Sequence, residues 1–364
     1  MVKLGVFIPV GNNGWILSAT SPQYLPTFEL NRQVVQRAEY YGLDFVLSMI
    51  KFRGYGGPTQ YWDYNLESFT LMAGLAAVTS RIALFASIAV LTMPPPVTAR
   101  MAVTIDSIAP GRFGINIVTG WQKAEYEQMG VWPGDAYFGY RYDFASEYVQ
   151  IMKELWSDGV SNFKGKHFQM DDCRLLPAPS GHIPIVSAGA SARGMKFVAA
   201  YCDLAFTSAG VGDGLNQPRA IVPAVTQLRE AAIAKGREIG GLVLLLIIAD
   251  ETDEAAMRKW EHYKEGADLE AMAWMGSQSA KDTRASANST ARLIGGSVEQ
   301  RIPTALQTLC GSYATVARLL DEMAEIPGVA GIMMAFDDFL LGIEQFGTRI
   351  QPLMKSRLGG TVVD

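Results

Sequence analysis

The richest cluster of polar and aromatic side chains lies at residues 111–130, GRFGINIVTGWQKAEYEQMG. Residues 113–118 alternate as a buried strand does, yet Asn116 places an amide in the middle of that strand. Trp121, Glu125 and other groups able to bind or react follow directly after it. The pattern predicts a functional site at the end of this strand. The alternative is that Asn116 is a satisfied core amide bridging two strands.

Other strand-like runs end in comparable groups. Ile50 and Lys51 end the second run, before the glycine-rich RGYGG, and Ser87 lies inside the third. SAGASARG (187–194) ends the fifth run and opens a helix, with Ser191 at the position of an N-cap. Free N–H groups and the helix dipole favour a phosphate there. Arg141 opens another helix, and a guanidinium can bind phosphate through two hydrogen bonds. The alternatives are that Ser191 only caps its helix and that Arg141 is a solvated surface arginine.

The chain offers no obvious nucleophile, metal site or acid–base pair. None of the three histidines has a cysteine or carboxylate at metal-ligand spacing, the three cysteines are scattered, and no G-x-S-x-G motif is present. A site with binding groups but no reactive group indicates a cofactor that brings the reactivity with it.

Strand-like and helical patterns alternate along the chain. The strand-like runs are 4–10, 45–50, 82–90, 113–118, 183–189, 204–209, 242–249 and 331–336. Helical spacing separates them, as in RYDFASEYVQIMKELW. Continuously apolar strands are typical of a parallel sheet covered on both faces, so a TIM (β/α)8 barrel with insertions is expected. In such a barrel the site lies where the strands end, and the polar groups fall there. A doubly wound sheet is the alternative, but GVGDG (210–214) matches the dinucleotide fingerprint poorly.

Two segments interrupt the alternation within a predicted single domain, 1–364. Residues 157–182 carry no long helix and indicate a hairpin-like insertion. Residues 276–303 are polar and rich in Ser, Ala and Gly, and predict a lid-like loop over the site, with a disordered excursion as the alternative.

The net charge of −5 provides no basic surface for nucleic acid. No apolar run approaches the roughly 18 residues that would span a bilayer. The N-terminal run resembles a first strand more than a signal peptide, so a cytoplasmic protein is expected.

Several blocks make the chain similar to the bacterial-luciferase-like flavin monooxygenases, among them GVFIPVGNNGW, NIVTGWQKAEYEQMG and FDDFLLGIEQFGTRIQPLM. The resemblance runs from Leu4 to Met354, and the second block is specific to a narrow group of that superfamily. It implies a barrel that binds FMN. A separate NADH-dependent reductase would reduce the FMN, which would then reach the barrel by diffusion. It also implies a monooxygenase of pyrimidine catabolism. That enzyme uses O2 to open uracil or thymine between N3 and C4, giving a ureidoacrylate peracid or ureidoacrylate. Barrels of this superfamily often pair through their helices, so the resemblance is compatible with a homo-oligomer.

The matching positions imply two sets of site residues. The flavin contacts would be Ile50, Lys51, Asn116, Glu125, Arg141, Tyr142 and Ser191. The place where oxygen meets reduced flavin and pyrimidine would be surrounded by Leu47, Ser87, Asn116 and Trp121. In that arrangement Asn116 offers an amide donor, Ser87 a hydroxyl, Leu47 an apolar wall and Trp121 a flat one.

The chain departs from the family pattern at three places. Ser87 replaces a threonine, Ala190 stands where a polar residue is usual, and TSAGVGDGLNQP differs from a cysteine-containing segment. These departures leave the choice of substrate open. The alternatives are a reduced-flavin oxygenase of another amide, a sulfur compound or a halogenated ring, a deazaflavin-dependent dehydrogenase, and a non-catalytic flavin-binding protein.

Overall fold

The structure is a computed structural model that describes residues 1–208, 214–285 and 290–357, with backbone alone at 290 and 293–296. The strands are β1 (Lys3–Ile8), β2 (Phe45–Ser48), β3 (Ala83–Ala89), β4 (Phe113–Val118), β5 (Val160–Ser161), β6 (Cys173–Arg174), β7 (Ile185–Ala188), β8 (Leu204–Thr207), β9 (Gly240–Asp250), β10 (Gln307–Ser312) and β11 (Val329–Phe336). The α-helices are α1 (Phe28–Tyr40), α2 (Ser68–Ala76), α3 (Pro95–Ile108), α4 (Lys123–Glu127), α5 (Tyr137–Asp158), α6 (Ala192–Tyr201), α7 (Val222–Ile233), α8 (Asp253–Glu265), α9 (Leu269–Ala280), α10 (Thr290–Glu299), α11 (Tyr313–Ala324) and α12 (Phe339–Gln345).

Eight parallel strands form a closed ring in the part of the chain that the structure describes. Their order around it is β1-β2-β3-β4-β7-β8-β9-β11, and β11 pairs with β1 to complete the circuit. The pairing of β8 with β9, from Leu204 opposite Gly240 to Thr207 opposite Val243, joins the two halves. The predicted TIM barrel is therefore confirmed, with each predicted strand in its place, and the doubly wound sheet is wrong.

Aromatic rings fill the interior near the middle of the barrel. Phe45 of β2 and Phe85 of β3 meet edge to face, with centroids 6.1 Å apart. Gly5 and Gly114 lie against these two rings, and a Cβ at either position would collide with them. Because side chains alternate along a strand, Leu47 and Ser87 share the interior side with Phe45 and Phe85. The packed rings fill the barrel interior below the carboxyl ends of the strands.

The segment 276–303 differs from its prediction. It was expected to be a loop, but it contains the end of α9 and all of α10, so the loop prediction is wrong for the described residues. Small side chains explain the difference, since Gly276 of α9 lies against Val298 of α10 and the two helices pack closely. Strand β10 follows and pairs with the carboxyl half of β9. Strand β10 was not predicted, because its apolar run is short.

The other irregular segment, 157–182, contains the short antiparallel pair β5–β6. Most of the weak dinucleotide match at 210–214 falls on 210–213, outside the described residues. Within the described residues, no helix has the length and hydropathy needed to cross a membrane.

Candidate active site

A cavity of about 330 Å³ opens at the carboxyl ends of the barrel strands. Ile50 follows β2, Ser87 lies on β3, Asn116 on β4, Ala188 on β7 and Thr207 on β8, and all of them line it. This is the end of the barrel at which TIM-barrel enzymes carry their active sites.

Most of the predicted site residues meet at this cavity, and three do not reach its wall. Those that line it are Ile50, Lys51, Ser87, Asn116, Trp121, Arg141 and Tyr142. Leu47 is fully buried on the interior side of β2 and is not part of the lining. Glu125 and Ser191 stand behind residues that are. The proposed role of Leu47 as a wall is therefore not supported by its position.

A chain of hydrogen bonds holds the amide of Asn116. Its Nδ2 donates to Ser87 Oγ over 2.8 Å, and Ser87 Oγ donates to the carbonyl of Ser48 over 2.5 Å. Because the Ser87 proton is committed to Ser48, Ser87 can only accept from the amide, which fixes the orientation of the Asn116 side chain. Asn116 Oδ1 is then buried without a partner among the described residues. Such an acceptor is costly unless a ligand donates to it.

Lys51 brings a buried positive charge to the same cavity. Its Nζ lies 3.2 Å from Glu125 Oε2 and also donates to Gln122 Oε1, and the Phe52 N–H donates to Glu125 Oε1 over 2.7 Å. Burial opposes the charge on Lys51, but Glu125 and the Tyr55 hydroxyl outweigh it, so the pKa of Lys51 is raised. Glu125 therefore keeps an ammonium group at the wall of the cavity and does not face the cavity itself.

An aromatic wall stands on the side of β1 and the β2–α2 connection. Phe7 and Trp15 stack with centroids 4.2 Å apart, and Trp15 meets Trp62 edge to face at 4.9 Å. Trp62 also stacks on Tyr61 at 4.8 Å, and both donate to the carbonyl of Gly14. Sequence analysis missed this wall. The only signal was the density of aromatic and glycine residues in GNNGW and YGGPTQYWDY.

The amino end of α6 closes the opposite side. Ser191 Oγ accepts the Gly194 N–H over 3.1 Å, so Ser191 does cap the helix, as the simpler interpretation predicted. A Cβ on Gly194 would lie 2.7 Å from Gly189 Cα and 2.8 Å from the Tyr142 hydroxyl, so this position has no room for a side chain. Gly189 lines the cavity, and the Ser191 hydroxyl proton is still available to donate.

Arg141 lies buried beside this helix end, with its side chain only 8% exposed. Its Nη1 contacts Asp282 Oδ2 at 2.9 Å and donates to the Gly120 carbonyl over 3.3 Å. Its Nε has no partner among the described residues. The surface-arginine alternative is therefore wrong. Asp282 was not predicted, because a single aspartate in a Ser- and Ala-rich segment carries no distinctive pattern.

Helices α9 and α10 cover the cavity. Met275 of α9 and Ala291 of α10 both belong to its lining. The segment predicted to be a lid thus lies at the predicted place, although it is helical. Whether it opens and closes stays a prediction.

The residues present fit a reduced flavin. Asn116 Oδ1 is an unpaired acceptor for a ring N–H, and Arg141 Nε is an unpaired donor for an anion. The same cavity is lined by flat aromatic side chains, which suit a planar ring system. No group of three or more metal-ligating side chains occurs among the residues described.

Comparison with known proteins gives consistent matches over the chain. The family model for luciferase-like monooxygenases matches residues 2–330. Pyrimidine monooxygenase RutA of Bradyrhizobium sp. strain BTAi1 is 62% identical over 356 residues, which cover 98% of each protein. RutA of Serratia proteamaculans is 58% identical over 98% of this chain and 96% of its own length. A crystal structure of the riboflavin lyase RcaE, with modified FMN and riboflavin, superposes with a TM-score of 0.82 at 18% identity, covering 98% of this chain and 92% of that one. At this identity the last match supports the fold alone.

Proposed function

The chain belongs to the luciferase-like monooxygenase family, which uses reduced flavin and O2, and from this we propose that it is an FMN-dependent pyrimidine monooxygenase. The proposed reaction adds two hydrogens from reduced FMN and both atoms of O2 to uracil or thymine. The N3–C4 bond breaks, N3 takes a proton, and C4 becomes the carbon of a ureidoacrylate peracid, which accounts for both hydrogens and both oxygen atoms. A separate NADH-dependent reductase would supply the reduced FMN.

One observation of the structure carries the proposal. A single cavity is lined by both Asn116 and Arg141, and the buried Asn116 Oδ1 and Arg141 Nε, which have no partner among the described residues, are the kinds of acceptor and anion donor that the two ends of FMN require. The reduced flavin supplies the electrons that activate oxygen. In this proposal Arg141, Tyr142 and the amino end of α6 bind the phosphate, and Ser191 caps that helix end from behind the cavity wall.

The other residues orient the ring and the substrate. Asn116, held by Ser87, accepts from the ring N–H and places its amide beside the reacting oxygen. Lys51 contributes a fixed positive charge, and Trp121, whose ring lies 5.5 Å from Lys51 Nζ, contributes a flat surface for the pyrimidine. The aromatic wall and the covering helices keep water from the reacting centre, which strengthens each of these hydrogen bonds.

A substrate screen tests the proposed function. The protein is mixed with chemically reduced FMN, O2 and uracil, thymine, another cyclic amide, a sulfur compound or a halogenated ring. Oxygen uptake and product mass are then followed. We expect a ring-opened ureido acid from the pyrimidines alone. Product from another compound and none from uracil or thymine would contradict the assignment. Reduction of oxidised deazaflavin without oxygen uptake would instead support a dehydrogenase.

A further inference from the structure

The buried ion pair between Arg141 and Asp282 has a geometry that bears on phosphate binding. Asp282 Oδ2 and the Gly120 carbonyl both engage Nη1, at 2.9 and 3.3 Å. Nε, on the opposite edge of the guanidinium, is buried and has no partner among the described residues. Nε and Nη2 present parallel N–H groups along that edge, which is the geometry that binds two oxygens of one phosphate.

Asp282 is fully buried, and one of its two carboxylate oxygens is hydrogen-bonded. Its Oδ1 accepts the Arg284 N–H over 3.2 Å, whereas its Oδ2 makes the ion-pair contact with Arg141 and has no hydrogen-bond partner among the described residues. It follows α9 directly, and its own N–H donates to the Ser279 carbonyl near the end of that helix. Since α9 also supplies Met275 to the cavity, Asp282 connects the covering helix to the arginine at the cofactor end.

We propose that Asp282 is the positioning residue that fixes the Arg141 side chain so that its Nε edge faces the phosphate of FMN. This inference rests on the proposed function. Asp282 does not touch the phosphate, and the pair persists when the cofactor binds. Through the Arg141–Asp282 contact, binding of the phosphate also stabilises the carboxyl end of α9.

The sign of the expected effect separates positioning from simple electrostatics. A carboxylate near a phosphate repels it, so on charge alone the loss of Asp282 would strengthen FMN binding. If Asp282 positions Arg141, its loss frees a long side chain and weakens FMN binding. The Kd for FMN should rise about tenfold in Asp282→Ala, because one charge-assisted hydrogen bond between Arg141 and the phosphate is weakened.

The proposal is tested by measuring the Kd of the full chain for FMN and for riboflavin. Quenching of flavin fluorescence is the readout. Asp282→Ala should raise the Kd for FMN and leave that for riboflavin unchanged. Asp282→Asn keeps an oxygen acceptor for Arg141 and should retain most of the affinity. Glu270→Ala removes an exposed carboxylate from α9, the helix that precedes Asp282, and is the matched charge control. An FMN affinity that is unchanged or higher in Asp282→Ala would overturn the proposal. If Asp282→Ala does not fold, the comparison of Asp282→Asn with Glu270→Ala decides, because charge removal alone predicts tighter binding.

Amide hydrogen exchange gives a second measurement, independent of catalysis. In the parent protein FMN should slow exchange at residues 276–285 more than riboflavin does, and in Asp282→Ala this difference should disappear. Equal protection by the two flavins in the parent would contradict the coupling. The outcomes are distinguishable from failure of the proposed function. If Arg141→Ala also leaves the preference for FMN over riboflavin unchanged, the assignment of FMN as the cofactor is wrong. That result would contradict the proposed function itself and not only the role of Asp282.

Discussion

Replacement of Asn116 by leucine separates a functional amide from a structural one. Without cofactor, the variant loses the Asn116 Nδ2–Ser87 hydrogen bond, worth about 1 kcal/mol. It also removes the unpaired, buried Oδ1, which costs about 1–3 kcal/mol in the parent. These two effects offset each other, so the free energy of unfolding should fall by no more than about 1 kcal/mol.

The same change should greatly reduce productive catalysis. The variant should still bind FMN and let it be reoxidised, because the phosphate end is untouched. Without a well-placed amide at the reacting oxygen, the rate of ring opening should fall by about 10²–10³-fold, as for the loss of an oxyanion-hole donor. Hydrogen peroxide should then be released while the pyrimidine stays intact.

The assay measures ring-opened product and free hydrogen peroxide per reduced FMN oxidised, beside a denaturant titration of the apoprotein. Ser87→Thr is the matched control, because it keeps the hydroxyl that fixes the amide and should be almost silent. Ring opening by Asn116→Leu at nearly the parent rate would refute the reasoning. A loss of more than about 3 kcal/mol in the free energy of unfolding would show that the amide is structural.

Arg141→Ala should weaken FMN binding by roughly 10–100-fold and leave riboflavin binding almost unchanged, measured by fluorescence quenching; equal losses for both flavins would place Arg141 away from the phosphate. Ser191→Ala should weaken FMN binding less than Arg141→Ala does, because its hydrogen bond is neutral and the helix N–H groups remain; a larger loss would contradict this order. The pKa of Lys51 is raised above its unfolded value of 10.5 because Glu125 and Tyr55 outweigh the effect of burial, so its charge stabilises the fold fully below about pH 10 and progressively less above. The difference in free energy of unfolding between the parent and Lys51→Met should therefore stay constant from pH 7 to 9; a steep decline in that interval would contradict a charged lysine. Proteolysis within 276–303 should slow when FMN and uracil are both bound, and cleavage unaffected by either ligand would argue against a lid.

The barrel could be predicted because its strands are buried on both faces and read as continuous apolar runs. The runs at 45–50 and 113–118 ended within two residues of β2 and β4. Strand β10 was missed because Thr308, Cys310 and Gly311 form only a weak apolar pattern after a polar segment. Helices α9 and α10 were missed because Ser, Ala and Gly indicate a loop locally, and close helix packing is a tertiary effect.

The candidate site was predictable where polar residues end a strand, and not where partners come from distant segments. Asn116 and Ser87 are opposite each other on the adjacent strands β4 and β3, so the prediction of consecutive parallel strands already placed them near each other. Asp282 meets Arg141 across 141 positions of sequence, and no local pattern encodes that contact. The aromatic wall likewise depends on β1 and the β2–α2 connection folding together, so composition could indicate aromatic residues but not their common surface.

A single turnover with labelled oxygen tests the central claim most directly. The protein is loaded with reduced FMN and uracil without oxygen, then mixed with labelled O2, and the product is analysed by mass. The proposed reaction predicts a ring-opened ureido acid that carries label at the former C4, in an amount close to that of the reduced FMN. Unlabelled ring-opened product, or intact uracil with all of the oxygen recovered as hydrogen peroxide, would contradict it.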